Sequence, residues 1–176
     1  MDVSAFMKEL ASYKQPWSET RAKAIPLHKD TLAVHLRIAV ANTVEETLDA
    51  QEDKKTDAYA HFPLLTSFLE EFSKKIRGTL ARVTIVSLKP DSQVYRHYDA
   101  GTYYARRDRY HLVLQSPAGS RMVSGDEECV WHKGELWWFD NKAMHEAFNP
   151  SDGAERIHVI FDVLPNPPWW KKFLQT

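Results

Sequence analysis

The residues best suited to chemistry are a histidine and an aspartate two positions apart, His97 and Asp99, and a second histidine farther along, His145. The segment around His97 is predicted to be a β-strand, where a spacing of two places both side chains on one face. Two imidazoles and one carboxylate leave three positions of an octahedral ion open, which suits non-haem Fe(II) and its reactions with oxygen. A closed zinc site needs a fourth protein ligand. The three residues therefore predict an iron site.

The His-x-Asp spacing is common by chance, and the chain contains a second instance, His28-Lys29-Asp30. The surrounding sequence must therefore decide which pair is functional. We interpret His28 and Asp30 as structural because no further ligand accompanies them, whereas His97 is followed by His145 and by a strand that carries an arginine.

That arginine, Arg156, is suited to binding an anion. On a strand, its guanidinium group can hold the far carboxylate of a dicarboxylic co-substrate through two parallel hydrogen bonds, a geometry that lysine lacks. Arg109 and His111, again two apart, add a cation and a hydrogen-bond donor on a shared face. The alternative is that Arg156 pairs with a surface carboxylate, Asp152 or Glu155, and leaves the pocket without its anion-binding group.

Two helices and a strand are predicted before these residues. Apolar residues at helical spacing predict helices over 3–12 and 62–76, and Gly78 ends the second. Alternating apolar residues predict a strand between 23 and 40. The polar stretch 43–60 is typical of either a solvated helix or a mobile loop.

Beyond residue 79, short runs rich in Val, Ile, Tyr and Trp alternate with turn signals. The predicted strands are 80–87, 93–98, 109–115, 120–124, 128–131, 135–140, 143–148 and 155–163. Helices followed by many short antiparallel strands predict an α+β, mainly β fold, with a jelly-roll or cupin-like double sheet as its core and the N-terminal helices packed on it.

The length of 176 residues suits one domain, 1–176. Its expected parts are a helical and strand-containing N-terminal part (1–78), a core (79–163) and an irregular tail (164–176). In the tail, Trp169 and Trp170 either pack back on the body or contact a partner.

Composition limits the partners. A net charge of -1 and a pI near 6.7 provide no electrostatic attraction to nucleic acid or to an anionic membrane. A single cysteine, Cys129, excludes an internal disulfide and a Cys-rich zinc site. The chain begins without the pattern of a secretory signal, so we expect a cytoplasmic protein. The oligomeric state stays open.

Several motifs together resemble one known family, the aspartyl/asparaginyl β-hydroxylases, whose fold is a double-stranded β-helix. The motifs are Val83-Thr-Ile-Val-Ser-Leu-Lys-Pro, His97-x-Asp99-x-Gly101-x-Tyr103-Tyr104, Arg109-Tyr-His-Leu, Gly134-Glu-Leu-Trp-Trp-Phe-Asp-Asn, His145, and Arg156-Ile-His-Val-Ile-Phe-Asp. The resemblance extends from about residue 26 to residue 163 and is most specific between 81 and 163.

The resemblance implies roles for these residues. His97 and His145 are the iron-binding histidines, and Arg156 binds 2-oxoglutarate. Arg109 and His111 help to hold that co-substrate, so His111 is a hydrogen-bond donor and not a metal ligand.

Two assignments that depend on the resemblance stay open, the role of Asp99 and the counterpart of a family serine. Some family members bind iron with two histidines alone, whereas Asp99 completes a triad in this chain; members with this carboxylate act on free amino acids as well as on proteins. The family's serine beside the co-substrate has no assigned counterpart, because strand parity favours Val86 while the nearest serine is Ser87.

A loop that follows the iron ligands is expected at the mouth of the site. The predicted substrate contacts are Tyr103, Tyr104, Arg106 and Trp138. With Arg107, Arg106 suits an acidic or carboxylate-bearing substrate, although the loop can equally be a solvated turn. Trp137 and Trp138 form either a wall for the substrate or, for at least one of them, part of the core.

These observations predict an enzyme that uses Fe(II), 2-oxoglutarate and O2 to hydroxylate an aspartyl/asparaginyl-type side chain of a protein or peptide. The alternatives are a hydroxylase of a free amino acid such as proline, and a cupin-like metal-binding protein that does not use 2-oxoglutarate. A non-enzymatic binding module that docks through Trp169 and Trp170 is a third possibility.

Overall fold

Two antiparallel β-sheets form the body of the molecule, and the structure, a computed structural model, describes residues 1–167 of the chain. Its helices are α1 (Ser4–Ser12), α2 (Thr20–Ala24), α3 (Pro63–Lys75) and α4 (Thr102–Ala105). Its strands are β1 (Thr31–Ala39), β2 (Asp53–Lys55), β3 (Gly78–Leu88), β4 (Ser92–His97), β5 (Asp108–Gln115), β6 (Arg121–Ser124), β7 (Glu127–Cys129), β8 (Leu136–Phe139), β9 (His145–Asn149) and β10 (Arg156–Pro165). The predicted contacts of Trp169 and Trp170 lie outside the described residues.

The strands from β3 onward are divided between the two sheets. The larger sheet has the order β2-β1-β3-β10-β5-β8, and the smaller has the order β4-β9-β6-β7. Every pairing is antiparallel. Residues of both sheets meet in a buried cluster that includes Val113, Met122 and Ala147. The predicted double-stranded β-helix is confirmed.

The alternation of residues in β3 gives the larger sheet two different faces. Val83 and Ile85 are fully buried in the apolar cluster that contains the helices' side chains. Arg82, Thr84 and Val86 point to the opposite face, because successive strand residues alternate. That second face is therefore available for a site.

Helices α1 and α3 cover the apolar face of the larger sheet. Leu65 and Leu69 of α3 are fully buried, and the rings of Phe6 and Phe68 lie 5.5 Å apart. Burying a leucine side chain stabilises a fold by about 1.5–3 kcal/mol, so this layer contributes mainly to stability. Among residues 1–167, no helix combines the length and apolarity needed to cross a membrane.

Most predicted elements are confirmed, and the errors concern short segments. The stretch 43–60 is neither a solvated helix nor a simple loop, since it contains two 3₁₀ turns and the edge strand β2. The loop predicted around Tyr103 is also wrong in part, because α4 occupies it. Sequence periodicity missed α2, α4 and β2 because they span only three to five residues each.

Gly101 fixes the turn between β4 and α4. Its φ is +106°, and a Cβ atom there would overlap the carbonyl oxygen of Leu48. The following residue, Thr102, donates from its backbone N–H to Asp49 Oδ1 at 2.7 Å, so the turn is attached to the 46–49 segment. Gly101 therefore permits the turn to lie against Leu48, which a side chain at this position would prevent.

We expect Gly101→Ala to lower the free energy of unfolding by about 1–3 kcal/mol, because it combines backbone strain with the overlap at Leu48. Equilibrium urea unfolding provides the measurement. Gly153→Ala is the control, since no atom lies within 4 Å of the position that its new methyl group would occupy and its φ is not positive. Equal stability of the two variants would contradict this account of the turn.

Candidate metal centre and adjoining anion pocket

The smaller sheet brings the two histidines of the predicted iron site together. His97 ends β4, His145 begins β9, and the two residues are paired across the strands. Asp99 lies beyond the end of β4, so its predicted place on the strand is wrong. Its backbone N–H instead donates to the carbonyl oxygen of Asn141 at 2.9 Å. One potential ligand atom from each of His97, Asp99 and His145 lies within 4.8 Å of the others.

Backbone carbonyls set the tautomers of both histidines. Nδ1 of His97 lies 2.7 Å from the Tyr95 oxygen, and Nδ1 of His145 lies 2.9 Å from the Ala143 oxygen. Because a carbonyl oxygen only accepts, each Nδ1 carries the proton and each Nε2 presents a lone pair. Burial, the largest cause, lowers the pKa of His145 and favours this neutral form, the form that binds metals.

Two donors hold one oxygen of Asp99. Its Oδ2 accepts from Arg109 Nη1 at 2.7 Å and from Asn141 Nδ2 at 2.8 Å. Its Oδ1 lies 3.9 Å from Nε2 of His97, on the side of the histidines. Asn141 was missed as a functional residue by sequence reasoning, although it ends the recognised Gly134-Glu-Leu-Trp-Trp-Phe-Asp-Asn motif. The arrangement suits a single-oxygen metal ligand.

Arg109 is bound to protein carboxylates in this structure. Besides Asp99, it contacts Asp162 through Nε at 2.8 Å and Nη2 at 3.0 Å. Burial lowers the pKa of Arg109, but Asp162 and Asp99 outweigh that effect and hold it well above its ordinary value. These contacts use three of its five N–H donors, and its predicted part in holding the co-substrate stays a prediction.

Arg156, in contrast, is buried without an ion pair among residues 1–167. The alternative pairing with Asp152 or Glu155 is therefore absent. Burial lowers the pKa of Arg156 to about 10. A buried charge without a counter-ion is costly, and a bound anion compensates for it. Arg156 lines a cavity that also includes His97, Arg109, His111 and His145.

His158 is a member of this cavity that the sequence analysis did not select. Its position two residues after Arg156 on β10 could have identified it, because this spacing places both side chains on one face of the strand. Nδ1 of His158 lies 3.3 Å from Nδ1 of His111, and its Nε2 is buried without a partner in the described part of the chain. Burial, aided by Arg156 and His111, lowers the pKa of His158 well below its ordinary value. A neutral His158 therefore faces the pocket.

Strand parity in β3 agrees with the sequence argument about the missing serine. Val86 lines the cavity, whereas Ser87 is buried and its hydroxyl has no hydrogen-bond partner among residues 1–167. The serine contact of the resembling family therefore stays unassigned.

His28 is closer to the site than its interpretation as a structural residue implied. It lines the same cavity, and its ring lies edge-on to that of His97 at 5.1 Å. The sequence could not predict this contact, because His28 and His97 are far apart along the chain. The 3₁₀ turn Pro26–His28 brings His28 into place. His28 is not one of the three grouped ligand residues. It forms part of the wall of the cavity.

The predicted substrate contacts occupy different positions. Tyr103 is fully buried, with its ring between the guanidinium groups of Arg82 at 3.4 Å and Arg107 at 4.0 Å. Its hydroxyl donates to Asp162 at 3.1 Å, so Tyr103 belongs to the scaffold and its burial does not favour substrate contact. Arg107 is buried as well and does not lie at the mouth.

Three other residues remain accessible in varying degrees. Arg106 is exposed, and the ring of Tyr104 lies 4.8 Å from the guanidinium carbon of Arg109. Trp138 is 52% exposed, whereas Trp137 stacks on Trp131 at 5.5 Å. Trp137 therefore packs into the body, while Tyr104, Arg106 and Trp138 stay predictions as substrate contacts.

Comparisons with known proteins agree with this geometry. The family model described as Aspartyl/Asparaginyl beta-hydroxylase matches residues 42–165. Two curated relatives, each called aspartate beta-hydroxylase domain-containing protein 2, come from Mus musculus and Homo sapiens, and both are 32% identical over 76 residues. These matches cover 43% of this chain but 21% and 20% of the relatives, so the chain matches about a fifth of their length.

One solved structure is similar over most of the chain. It is an oxidoreductase of the 2OG-Fe(II) oxygenase family from Burkholderia pseudomallei, with a TM-score of 0.65 and 15% sequence identity. The similarity covers 92% of this chain and 77% of the other. At this identity, the comparison supports the fold alone.

We expect Asn141→Ala to raise the dissociation constant for a divalent metal about 10–100-fold, because Asp99 loses a donor that orients it. Titration with Co(II), followed by absorption, measures this change. Asn149→Ala is the matched control, since Asn149 is also fully buried but binds backbone carbonyls of Leu88, Lys89 and Ala154.

The control is expected to lower thermal stability and to leave Co(II) affinity unchanged. An equal loss of affinity in both variants would assign the effect to general destabilisation, and an unchanged affinity in Asn141→Ala would remove its role at Asp99.

We expect stability to fall as the pH decreases below about 6.5, the ordinary pKa of histidine, in part because of His158. The pKa of folded His158 lies well below that of the unfolded chain, so protons bind preferentially to the unfolded state at acidic pH. Urea unfolding at pH 8 and pH 5 tests this. His158→Asn should show a smaller loss than the wild type, whereas the exposed-site control His132→Asn should not. Identical pH dependence in His158→Asn would contradict the assignment.

Proposed function

Since the chain belongs to the aspartyl/asparaginyl β-hydroxylase family, we propose that it is an Fe(II)- and 2-oxoglutarate-dependent oxygenase that hydroxylates an aspartyl/asparaginyl-type side chain of a protein or peptide. The supporting observation is one cavity lined by both histidines of the His97, Asp99 and His145 cluster and by Arg156, which has no ion-pair partner within residues 1–167. Such a cavity suits a metal ion and an anionic co-substrate.

The donor set fits Fe(II). Two histidine Nε2 atoms and one carboxylate oxygen are the ligands of non-haem iron oxygenases, and three protein ligands leave positions for small molecules. The backbone bonds at both Nδ1 atoms orient the imidazoles for this purpose. When bound, Fe(II) with 2-oxoglutarate and O2 supplies the oxidising chemistry that protein side chains lack.

The protein's own groups bind and orient. Arg156 is proposed to hold the distal carboxylate of 2-oxoglutarate by paired N–H donors, with neutral His158 beside it as a further polar contact. Apolar residues such as Val86 and Phe139 line the same cavity and limit the access of water. Lower local polarity strengthens the contact between the guanidinium group and the carboxylate.

Two alternatives differ in observable ways. A hydroxylase of a free amino acid, such as proline, uses the same site residues with a smaller substrate. A cupin-like protein that does not use 2-oxoglutarate binds the metal but forms no succinate. That residues 1–176 form a single domain, and that the protein is cytoplasmic, both stay predictions.

The test is succinate formation after anaerobic loading with Fe(II) and 2-oxoglutarate and admission of O2. We expect the wild type to form succinate slowly without substrate and His145→Ala to form none. Arg156→Ala should raise the KM for 2-oxoglutarate at least about tenfold, because it loses charge-assisted hydrogen bonds. His132→Ala and Arg121→Ala, which lie outside the cavity, should behave like the wild type.

Iron binding without succinate formation in the wild type would favour the cupin-like alternative and remove the proposed reaction. Succinate formation that persists in His145→Ala would instead remove that histidine from the proposed metal site.

A further inference from the structure

A second cavity, which we call the recess, adjoins the proposed active site. It has a volume of about 240 Å³ and lies over the site-bearing face of the larger sheet. His35, Arg82 and Thr84 form part of its floor, while α2 and the segment around Val44 contribute to its walls. Part of this lining, including His35, precedes the matched residues 42–165 and is not part of the family match.

The recess and the cavity of the metal cluster are neighbours. Arg109 and Ile160 line both of them. Arg109 also contacts Asp99 at 2.7 Å, so one side chain of the recess touches a proposed metal ligand. The recess therefore adjoins the proposed metal site.

Arg82 is the arginine of the recess that forms no ion pair with a carboxylate among residues 1–167. Arg82 donates from Nη2 to the carbonyl oxygens of Thr47 and Ala50, both at 2.8 Å, and stacks on Tyr103. Its Nε is buried and has no hydrogen-bond partner within residues 1–167. Over the same residues, no ion pair is formed by Arg82.

The other two arginines of the recess differ in this respect. Arg37 is paired with Asp53, and Arg109 is paired with Asp99 and Asp162. Arg82 therefore provides the uncompensated charge, and an anionic group of a ligand is favoured near it.

The walls of the recess, more than its size, favour part of a peptide as its ligand. Sites for ligands of drug-like size measure about 300–1,000 Å³, and the recess, at about 240 Å³, is slightly smaller, so it suits one or two side chains of a larger molecule. Apolar side chains of Ile25, Ile38, Val44 and Leu48 form much of the wall, so side chains of a peptide find apolar contacts there.

We propose that the recess binds the substrate of the enzyme and that this substrate is a peptide segment with a carboxylate side chain near the hydroxylated residue, recognised by Arg82. The inference rests on the proposed function and specifies its substrate. It assigns Arg82 a role in selecting acidic sequences.

The first experiment measures binding without turnover. The probes are fluorescein-labelled pentapeptide amides with a central aspartate flanked by glutamate, glutamine or lysine, and the full chain is loaded with Mn(II) and 2-oxoglutarate. We expect the glutamate peptide to bind at least about fivefold more tightly than the glutamine peptide, and the lysine peptide to bind least well. Fluorescence anisotropy gives each Kd.

Arg82→Gln should reduce the preference for glutamate to within about twofold. Arg121→Gln is the matched control, because Arg121 also lies over an aromatic ring, that of Phe148, but does not line the recess, and it should keep the preference. Val44→Trp should weaken binding of all peptides by narrowing the recess. Val44 is 39% exposed, so this variant leaves the core unchanged and is a second test should Arg82→Gln fold poorly.

Succinate formation separates failure of this inference from failure of the proposed function. Peptide-free succinate formation should be equal in the wild type and Arg121→Gln, and the glutamate peptide should stimulate it in both but much less in Arg82→Gln. Preference for glutamate that survives in Arg82→Gln would overturn the inference.

Stimulation by free aspartate or proline but by no peptide would also overturn the inference, with the reaction class intact. Absence of succinate in every sample would instead overturn the proposed function on which the inference rests.

Discussion

The ionic contacts of Arg109 are the interaction on which the arrangement of the site depends. Its guanidinium group lies between Asp99 and Asp162, and all three groups are largely buried. Loss of Arg109 would leave two buried carboxylates without a counter-ion, which costs far more than loss of a surface ion pair. Because Arg109 lies on β5 and Asp162 on β10, the contacts join the loop that carries Asp99 to the larger sheet.

The sequence predicted which residues converge, but not how they are held. His97 and His145 could be chosen from their residue types and order, and the alternation of β3 and β10 predicted the faces that carry Val86 and Arg156. The contacts of Arg109 with Asp162 join residues 53 positions apart, and local spacing contains no information about such pairs. The sequence analysis placed Tyr103 at the mouth of the site, whereas the structure buries it. Arg82, Arg107 and Asp162 surround Tyr103 only in the folded chain, so local spacing could not predict its burial.

Arg109 and Arg156 show how the same side chain acquires different functions. Both are buried, but the acids around Arg109 raise its pKa, whereas burial without such partners lowers the pKa of Arg156 to about 10. Arg109 is thus already neutralised by the protein and mainly orients Asp99. Arg156 has no counter-ion among residues 1–167, which is why the proposed anion site is assigned to it.

The same distinction extends to the recess, and it would allow one small fold to separate the two proposed anions. If Arg109 were unpaired, a positive charge shared by both cavities would attract the co-substrate and an acidic substrate to the same place. Its pairing with Asp99 and Asp162 removes that shared attraction. The remaining charges lie apart, with Arg156 in one cavity and Arg82 in the other. Selectivity for the two ligands then depends on which guanidinium groups the protein leaves without an acid.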